Sequence, residues 1–121
     1  MERNRYKKAY GDAGEDFAVE YLKNAGYQIL ERNFRCRQGE IDIIAKENRY
    51  LCFIEVKRRK NTATGHPLES IHKKKIHSIC RTALYYLQSH SITDSTPVRF
   101  DVISVVCEDV LLLRDAFSFH Y

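Results

Sequence analysis

The sequence predicts an α/β domain with one mixed β-sheet, in the order helix, three strands, helix, two strands. Three observations support this fold class: an amphipathic helical pattern near the start, three β-leaning segments separated by short turns, and a second helical pattern before two further strands. The chain of 121 residues fits one domain, residues 1–121, and its 44% hydrophobic and 30% charged residues are an ordinary globular composition. Helices covering a sheet would bury these apolar faces.

Both helices are predicted from apolar residues at helical spacing. The first runs from about Asp12 to Ala25, with Gly26 in the position where a helix stops. The second opens at Pro67 and continues to about Leu87.

The strands are predicted from β-branched and aromatic residues bounded by turn residues. In chain order they are YQILERNFRCR, IDIIA, YLCFIEVK, VRFDVISVV and VLLLRD. Short turns at Gln38-Gly39 and at Glu47-Asn48-Arg49 make the first three strands a meander. The stretch RRKNTATGH is predicted as a polar loop, which completes the order αβββαββ.

Hydropathy and cysteine spacing exclude several classes of protein. No apolar run approaches the ~20 residues that span a bilayer, and the start MERNRYKKAYGDAGED has no signal-peptide core. We therefore expect a cytoplasmic protein with no membrane partner. The cysteines are widely spaced without a C-x-x-C pair, so we expect free thiols rather than a zinc site or a disulfide framework: Cys36, Cys52, Cys80 and Cys107.

The net charge of +4 is unevenly distributed. Residues 91–121 carry two basic and five acidic side chains, whereas the first ninety residues carry 18 basic and 11 acidic ones. Ten of the twenty basic residues lie in three clusters: Arg32, Arg35 and Arg37; Lys57, Arg58, Arg59 and Lys60; and Lys73, Lys74 and Lys75. Such clusters can hold a polyanion, and the alternative is a set of solvated surfaces.

Charged residues interrupt two of the apolar strands. Burying an ionised group costs several kcal/mol unless it is paired or binds a metal (roughly, in real proteins). Strand alternation places Glu55 and Lys57 on one face, and hairpin pairing places Asp42 beside Glu55, both about six residues from Asn48. Two adjacent carboxylates favour a cation between them, and hard oxygen ligands suit Mg²⁺ or Mn²⁺. The alternative is a structural ion pair with Lys57.

Two charges on the predicted helices add to this group. Glu15 lies on the apolar side of the first helix, where it would aim over the sheet at the carboxylates; alternatively it forms a capping box with Asp12. Lys75 stands in the stripe Ile71, Lys75, Ile79 of the second helix, where it would contact a phosphate or extend to water.

Taken together, the motifs resemble the YraN-like family of bacterial proteins. In order they are G-D-A-G-E, Q-G-E-I-D-I-I-A, F-I-E-V-K-R-R, G-H-P-L-E-S followed by a lysine, and R-F-D-V, and they cover the chain from Gly11 to about Phe117. That family is assigned to the restriction-endonuclease-like superfamily, whose signature is an acidic residue followed at a distance by (D/E)-x-K, and it is similar to archaeal Holliday-junction resolvases. The resemblance implies a restriction-endonuclease-like core and a single nuclease domain.

Site roles carry over by position. The resemblance implies that Asp42 and Glu55 are the metal-binding acids, Lys57 the catalytic lysine and Glu15 the helix-borne acid of the resolvase-like branch.

The chain departs from the family pattern at two places. Ile41 stands where a proline often precedes the first acid. Ser70 stands where the family usually has a small residue before the lysine motif, which Lys75 matches. Neither departure removes a ligand.

Our first hypothesis is a Mg²⁺-dependent endonuclease acting on DNA, with branched or junction DNA as a candidate substrate. Asp42, Glu55 and the carbonyl of Val56 would hold the ion, and Lys57 would offset charge on the phosphoryl group. A set of basic residues would hold the nucleic-acid backbone: Arg35, Arg37, Arg58, Arg59, Lys60, Lys73 and Lys75. The resolvase resemblance makes a homodimer a candidate assembly. The alternatives are a non-catalytic nucleic-acid-binding module with the same fold, and a structural domain whose charges form ion pairs.

Overall fold

The computed structural model describes residues 10–59, 71–107 and 109–119. Within these residues, two helices and five strands follow one another in the predicted order. The elements are α1 (Tyr10–Asn24), β1 (Gln28–Cys36), β2 (Gly39–Glu47), β3 (Tyr50–Arg59), α2 (Lys73–Ser89), β4 (Val98–Val106) and β5 (Asp109–Phe117). The predicted mixed α/β fold class and the order αβββαββ are confirmed.

The five strands form one sheet in the order β1-β2-β3-β4-β5. All neighbours are antiparallel except β3 and β4, which are parallel, so the sheet is mixed as predicted. A parallel pair needs a long crossover, and the segment that contains α2 provides it. The predicted meander is confirmed, because β2 pairs with β3 from Glu47↔Tyr50 to Ile43↔Ile54 across a turn at Asn48 and Arg49.

The helices cover opposite faces of the sheet. Alternate residues of β3 divide between the two layers: Cys52, Ile54 and Val56 pack under α1, whereas Leu51 and Phe53 pack under α2. Because the strand alternates in this way, the next residues on the α2 side are the charged ones that end β3.

The two helices begin at different places from those predicted. The chain is already helical at Tyr10, so Asp12 lies inside α1 and does not cap it. The predicted start of the second helix at Pro67 lies outside the described residues. Within them, α2 begins at Lys73: His72 is extended (φ −75°, ψ 154°), and the bond from the Ile76 N–H to the His72 carbonyl, 3.0 Å long, opens the helix.

The predicted end of α1 is confirmed. Gly26 has φ +105°, and the Tyr27 N–H donates to the Leu22 carbonyl at 2.9 Å, which closes the last turn. Neither described helix is long and apolar enough to cross a membrane. In the part of the chain that the structure describes, none of the cysteines forms a disulfide.

A buried polar network closes the end of the sheet near the β2–β3 turn. Asp101, fully buried, accepts hydrogen bonds from Tyr27 Oη at 2.8 Å and from Arg99 Nε and Nη2 at 2.9 Å each. Glu47 accepts from Arg99 at 2.6 Å and from Arg114 at 2.8 and 2.7 Å. Hydrogen bonds from Arg114, and then from Arg99, lower the pKa of Glu47 to about 2. This network gives the aspartate of the R-F-D-V motif a structural role.

Candidate active site

Asp42 and Glu55 lie side by side at the open end of the β2–β3 hairpin. The last regular pair of that hairpin is Ile43↔Ile54, so these two acids are the next residues on either strand. Glu55 is buried, with 8% of its surface exposed, and Asp42 is half-buried. The structure therefore brings the two carboxyl groups together, and the charge of Asp42 acts on Glu55.

Asp42 points towards β3 because strand alternation breaks at this residue. Ile41 packs in the α2 layer and Ile43 in the α1 layer, although residues two apart in a regular strand share a face. Asn33, which stands opposite Asp42 on β1, has a left-handed backbone with φ +55°. The Asp42 carboxylate turns into the plane of the sheet, where its Oδ2 accepts the Val56 N–H at 2.8 Å. A side chain thus continues the hairpin where regular pairing ends.

The surroundings of Glu55 disfavour ionisation of both Glu55 and Asp42 at the same time. Burial, and next the charge of Asp42, raise the pKa of Glu55 to about 7. The opposing cation is Lys75, whose Nζ lies 3.7 Å from Glu55 Oε2 and whose side chain is 45% exposed. Lys57 lowers the pKa by a smaller amount. The carboxylate pair is therefore only partly neutralised by the described side chains.

Lys57 follows Glu55 on the same face of β3 and is half-exposed. Its neighbour on β4 is Ser104, which is 2% exposed and whose Oγ has no hydrogen-bond partner among the described residues. Ser104 was not among the predicted site residues, although a small polar residue within VRFDVISVV was a visible signal. A buried hydroxyl thus lies one strand away from the lysine.

Glu15 lies at the edge of this group and contacts β1. Its Oε2 accepts hydrogen bonds from Arg32 Nε and Asn33 Nδ2, both at 3.1 Å. Because Asn33 stands opposite Asp42, a single residue, Asn33, lies between Glu15 and the carboxylate pair. The capping-box interpretation of Glu15 is wrong, since Asp12 lies within the helix and the carboxylate is engaged by β1. The partners on β1 were not predicted.

The donor atoms at this end suit magnesium better than zinc. Over residues 10–59, 71–107 and 109–119, no three or more histidine, cysteine, aspartate or glutamate side chains form a ligand cluster. Mg²⁺ is commonly held by one or two carboxylates together with water and substrate phosphate oxygens. Asp42 and Glu55 match that requirement. The carbonyl of Val56 adds a third oxygen, because the N–H and C=O of a strand residue point to the same side and this N–H points to Asp42.

Basic side chains surround the same end of the sheet. Arg35 and Arg37 are exposed at the end of β1, Arg58 is exposed at the end of β3, and Lys73 is exposed at the start of α2. Arg59 is half-buried, and Lys60 lies outside the described residues. The described members of the predicted nucleic-acid-binding set thus flank the carboxylate pair from three elements.

Helix α2 holds the start of β2 in place. Gly39 has φ +147°, and a Cβ on it would lie 2.4 Å from Ser78 Oγ and 3.1 Å from Thr82 Oγ1. The Ser78 hydroxyl also donates to the Gln38 carbonyl at 3.0 Å. This close contact, which only glycine permits, fixes the strand three residues before Asp42.

Comparisons with known proteins identify similar sequences in several bacteria. A family model described as "Uncharacterised protein family UPF0102" matches residues 14–105. A UPF0102 protein of Lachnoclostridium phytofermentans is 50% identical over 112 residues, covering 93% of this chain and 95% of that protein. A UPF0102 protein of Persephonella marina is 49% identical over 111 residues, covering 92% and 95%. One from Clostridium botulinum is 46% identical over 117 residues, covering 92% and 95%.

Proposed function

The chain belongs to the uncharacterised protein family UPF0102, and from its carboxylate pair we propose that it is a Mg²⁺-dependent nuclease that hydrolyses phosphodiester bonds in DNA. The observation that carries this proposal is the buried carboxyl of Glu55 beside Asp42, opposed mainly by a half-exposed lysine 3.7 Å away. A divalent cation would complete the neutralisation of this pair. Mn²⁺ has the same oxygen-ligand chemistry and is a second candidate ion.

The surrounding residues have distinct roles in this proposal. Asp42, Glu55 and the Val56 carbonyl would hold the ion. When bound, the ion would supply Lewis-acid activation of the phosphodiester. Lys57, two residues beyond Glu55 on the same face, would place a positive charge beside the phosphoryl group as negative charge develops on it. Burial of Glu55 strengthens such interactions, because charges interact more strongly away from bulk water.

The basic side chains around this end would bind the DNA backbone. Arg37, Arg58 and Lys73 come from three elements and are exposed, so one backbone segment would contact all of them across the carboxylate pair. Binding of this kind is salt-sensitive, because each neutralised phosphate releases counterions. Arginine and lysine contacts to phosphate position the nucleic acid without reading its sequence. The proposal therefore favours recognition of DNA structure over sequence.

The order of elements supports a restriction-endonuclease-like, YraN-like assignment. In such a core a hairpin carries the first acid and the acid-x-lysine motif, and here Asp42 lies on β2 while Glu55 and Lys57 end β3. The resemblance to junction resolvases extends the proposal to branched DNA, cleaved by a symmetric homodimer in the cytoplasm, because a four-way junction presents equivalent strands.

The test is a cleavage assay on labelled duplex, flap, four-way junction, single-stranded DNA and RNA, with Mg²⁺ or Mn²⁺. We expect Glu55→Gln to abolish cleavage while binding DNA as well as the wild type or better, because a repulsive carboxylate is removed. Lys57→Ala should lower the rate by about 10²–10³ and weaken binding slightly. Matched controls are Glu20→Gln, an exposed glutamate on α1, and Lys46→Ala, an exposed lysine on β2.

Each outcome distinguishes between the candidate functions. A Glu55→Gln protein that cleaves at the wild-type rate would refute the nuclease as proposed. Salt-sensitive binding without cleavage of any substrate would favour the non-catalytic binding module. Absence of binding at low salt would favour a structural domain whose charges form ion pairs.

A further inference from the structure

Gly14 lies inside α1, where glycine is a poor helix former. A Cβ at this position would lie 2.4 Å from Cδ and 2.9 Å from Cγ of Arg58. The aliphatic part of Arg58 therefore crosses the helix directly over the Gly14 backbone. Any side chain at residue 14 would occupy the space that the arginine uses.

The contact fixes the stem of Arg58 and leaves its charged end exposed. None of the carboxylates in the described residues forms an ion pair with the Arg58 guanidinium, which distinguishes it from Arg32 and Arg35. The guanidinium fork is suited to binding a phosphate through two hydrogen bonds. Because its stem already lies against the helix, Arg58 loses less side-chain freedom on binding a ligand than a free surface arginine would.

Arg58 is displaced from the carboxylate pair and lies on the opposite face of β3. It lies three residues beyond Glu55 on β3, about 10 Å along the strand at the usual rise per residue. Its side chain also projects on the α1 side, whereas Glu55 and Lys57 project on the α2 side. A nucleic-acid strand crossing the end of the sheet would therefore meet Arg58 at a phosphate that flanks the scissile one.

We infer that Gly14 is a positioning residue, which holds Arg58 in place to bind a flanking phosphate of the nucleic acid. The inference rests on the proposed function and identifies a specific contact within it. It also explains why a glycine stands within the first helix, next to Glu15, in the G-D-A-G-E motif.

The test is a double-mutant cycle of Gly14→Ala and Arg58→Ala. Dissociation constants are measured for labelled duplex and four-way-junction DNA with Ca²⁺, and KM and kcat are measured with Mg²⁺. In the wild-type background, Gly14→Ala should weaken binding by about tenfold and raise KM by a similar factor, with a smaller effect on kcat. In the Arg58→Ala background, Gly14→Ala should have no effect on DNA binding. Glu20→Ala, on an exposed position of the same helix, is the control for a change of helix surface.

Thermal stability provides a readout that does not depend on DNA. Alanine favours helix more than glycine does, so Gly14→Ala should raise the melting temperature of the Arg58→Ala protein by roughly 2–5 °C. The rise should be smaller when Arg58 is present, because the arginine must then be displaced.

The outcomes separate this inference from the proposed function. Equal loss of affinity in both backgrounds, or no loss in either, overturns the role of Gly14 even if the wild type cleaves DNA. Coupling between the two positions in a wild type that cleaves none of the substrates supports the phosphate contact and refutes the nuclease.

Discussion

Replacing Glu55 with glutamine should stabilise the metal-free protein at pH 8 and change its stability little at pH 4. Burial, reinforced by the charge of Asp42, raises the pKa of Glu55 from 4.5 to about 7 in the folded protein. The folded state therefore binds this proton more tightly than the unfolded chain does. The resulting contribution to stability is fully present below the unfolded pKa and is lost as pH rises through 7. A pKa change of this size corresponds to about 3 kcal/mol.

The raised pKa of Glu55 already includes the ion pair with Lys75, which acts against burial and the charge of Asp42. That pair is weak, because its N–O distance is 3.7 Å and the lysine is 45% exposed. We therefore expect Glu55→Gln to raise the free energy of unfolding at pH 8 by about 3 kcal/mol. Glutamine keeps the shape and the hydrogen-bonding capacity of the side chain, so little of the change should come from packing.

The measurement is urea unfolding of the wild type and the variant at pH 4 and pH 8, with and without Mg²⁺. Glu20→Gln, which changes an exposed carboxylate, is the control. Millimolar Mg²⁺ should stabilise the wild type at pH 8 and leave the variant unchanged, because a ligand that binds only the folded state raises its stability. A metal-free Glu55→Gln protein less stable than the wild type at pH 8 would refute the reasoning and indicate a structural ion pair with Lys75.

Two further predictions concern parts of the sheet that support the site. Glu47→Gln should lower the free energy of unfolding at pH 7 by about 3 kcal/mol, because hydrogen bonds led by Arg114 lower the pKa of Glu47 from 4.5 to about 2. Because the pKa of Glu47 is lowered, its ionised carboxylate stabilises the fold above pH 4.5, and this stabilisation is lost as pH falls towards 2. Urea unfolding curves of the wild type and Glu47→Gln that coincide at pH 7 would contradict the prediction. Gly39→Ala should lower the melting temperature more than Gly26→Ala does: both glycines have positive φ, but only a Cβ at Gly39 would meet a serine hydroxyl, at 2.4 Å. Gly39→Ala should lower the free energy of unfolding by roughly 1 kcal/mol more than Gly26→Ala does, and equal falls in melting temperature would contradict this expectation.

The features that sequence could predict are local ones. The order of elements follows from periodicity and turn residues, each read within a short window. The proximity of Asp42 and Glu55 follows from counting outward from the turn at Asn48, because hairpin register depends on the turn and on strand alternation. These features needed no knowledge of distant contacts.

The features that sequence could not predict depend on residues far apart in the chain. The break in alternation at Asp42 occurs opposite the left-handed backbone of Asn33 on another strand. The partners of Glu15 are likewise on β1, and local spacing suggested a cap within its own helix instead. The contact of Arg58 with Gly14 joins residues 44 positions apart, which no local pattern encodes.

The single parallel pair in the sheet has a consequence for synthesis of the chain. Residues 10–59 contain α1, the meander and every residue proposed to hold the metal, and they leave the ribosome before β4 (Val98–Val106) is made. Until β4 arrives, β3 is the edge of a three-stranded sheet, and its apolar YLCFIEV segment has unpaired backbone groups. The nascent protein is therefore most prone to aggregate while the carboxylates proposed to bind the metal are already in place. Truncations that end before Val98 should be recovered mainly as insoluble protein.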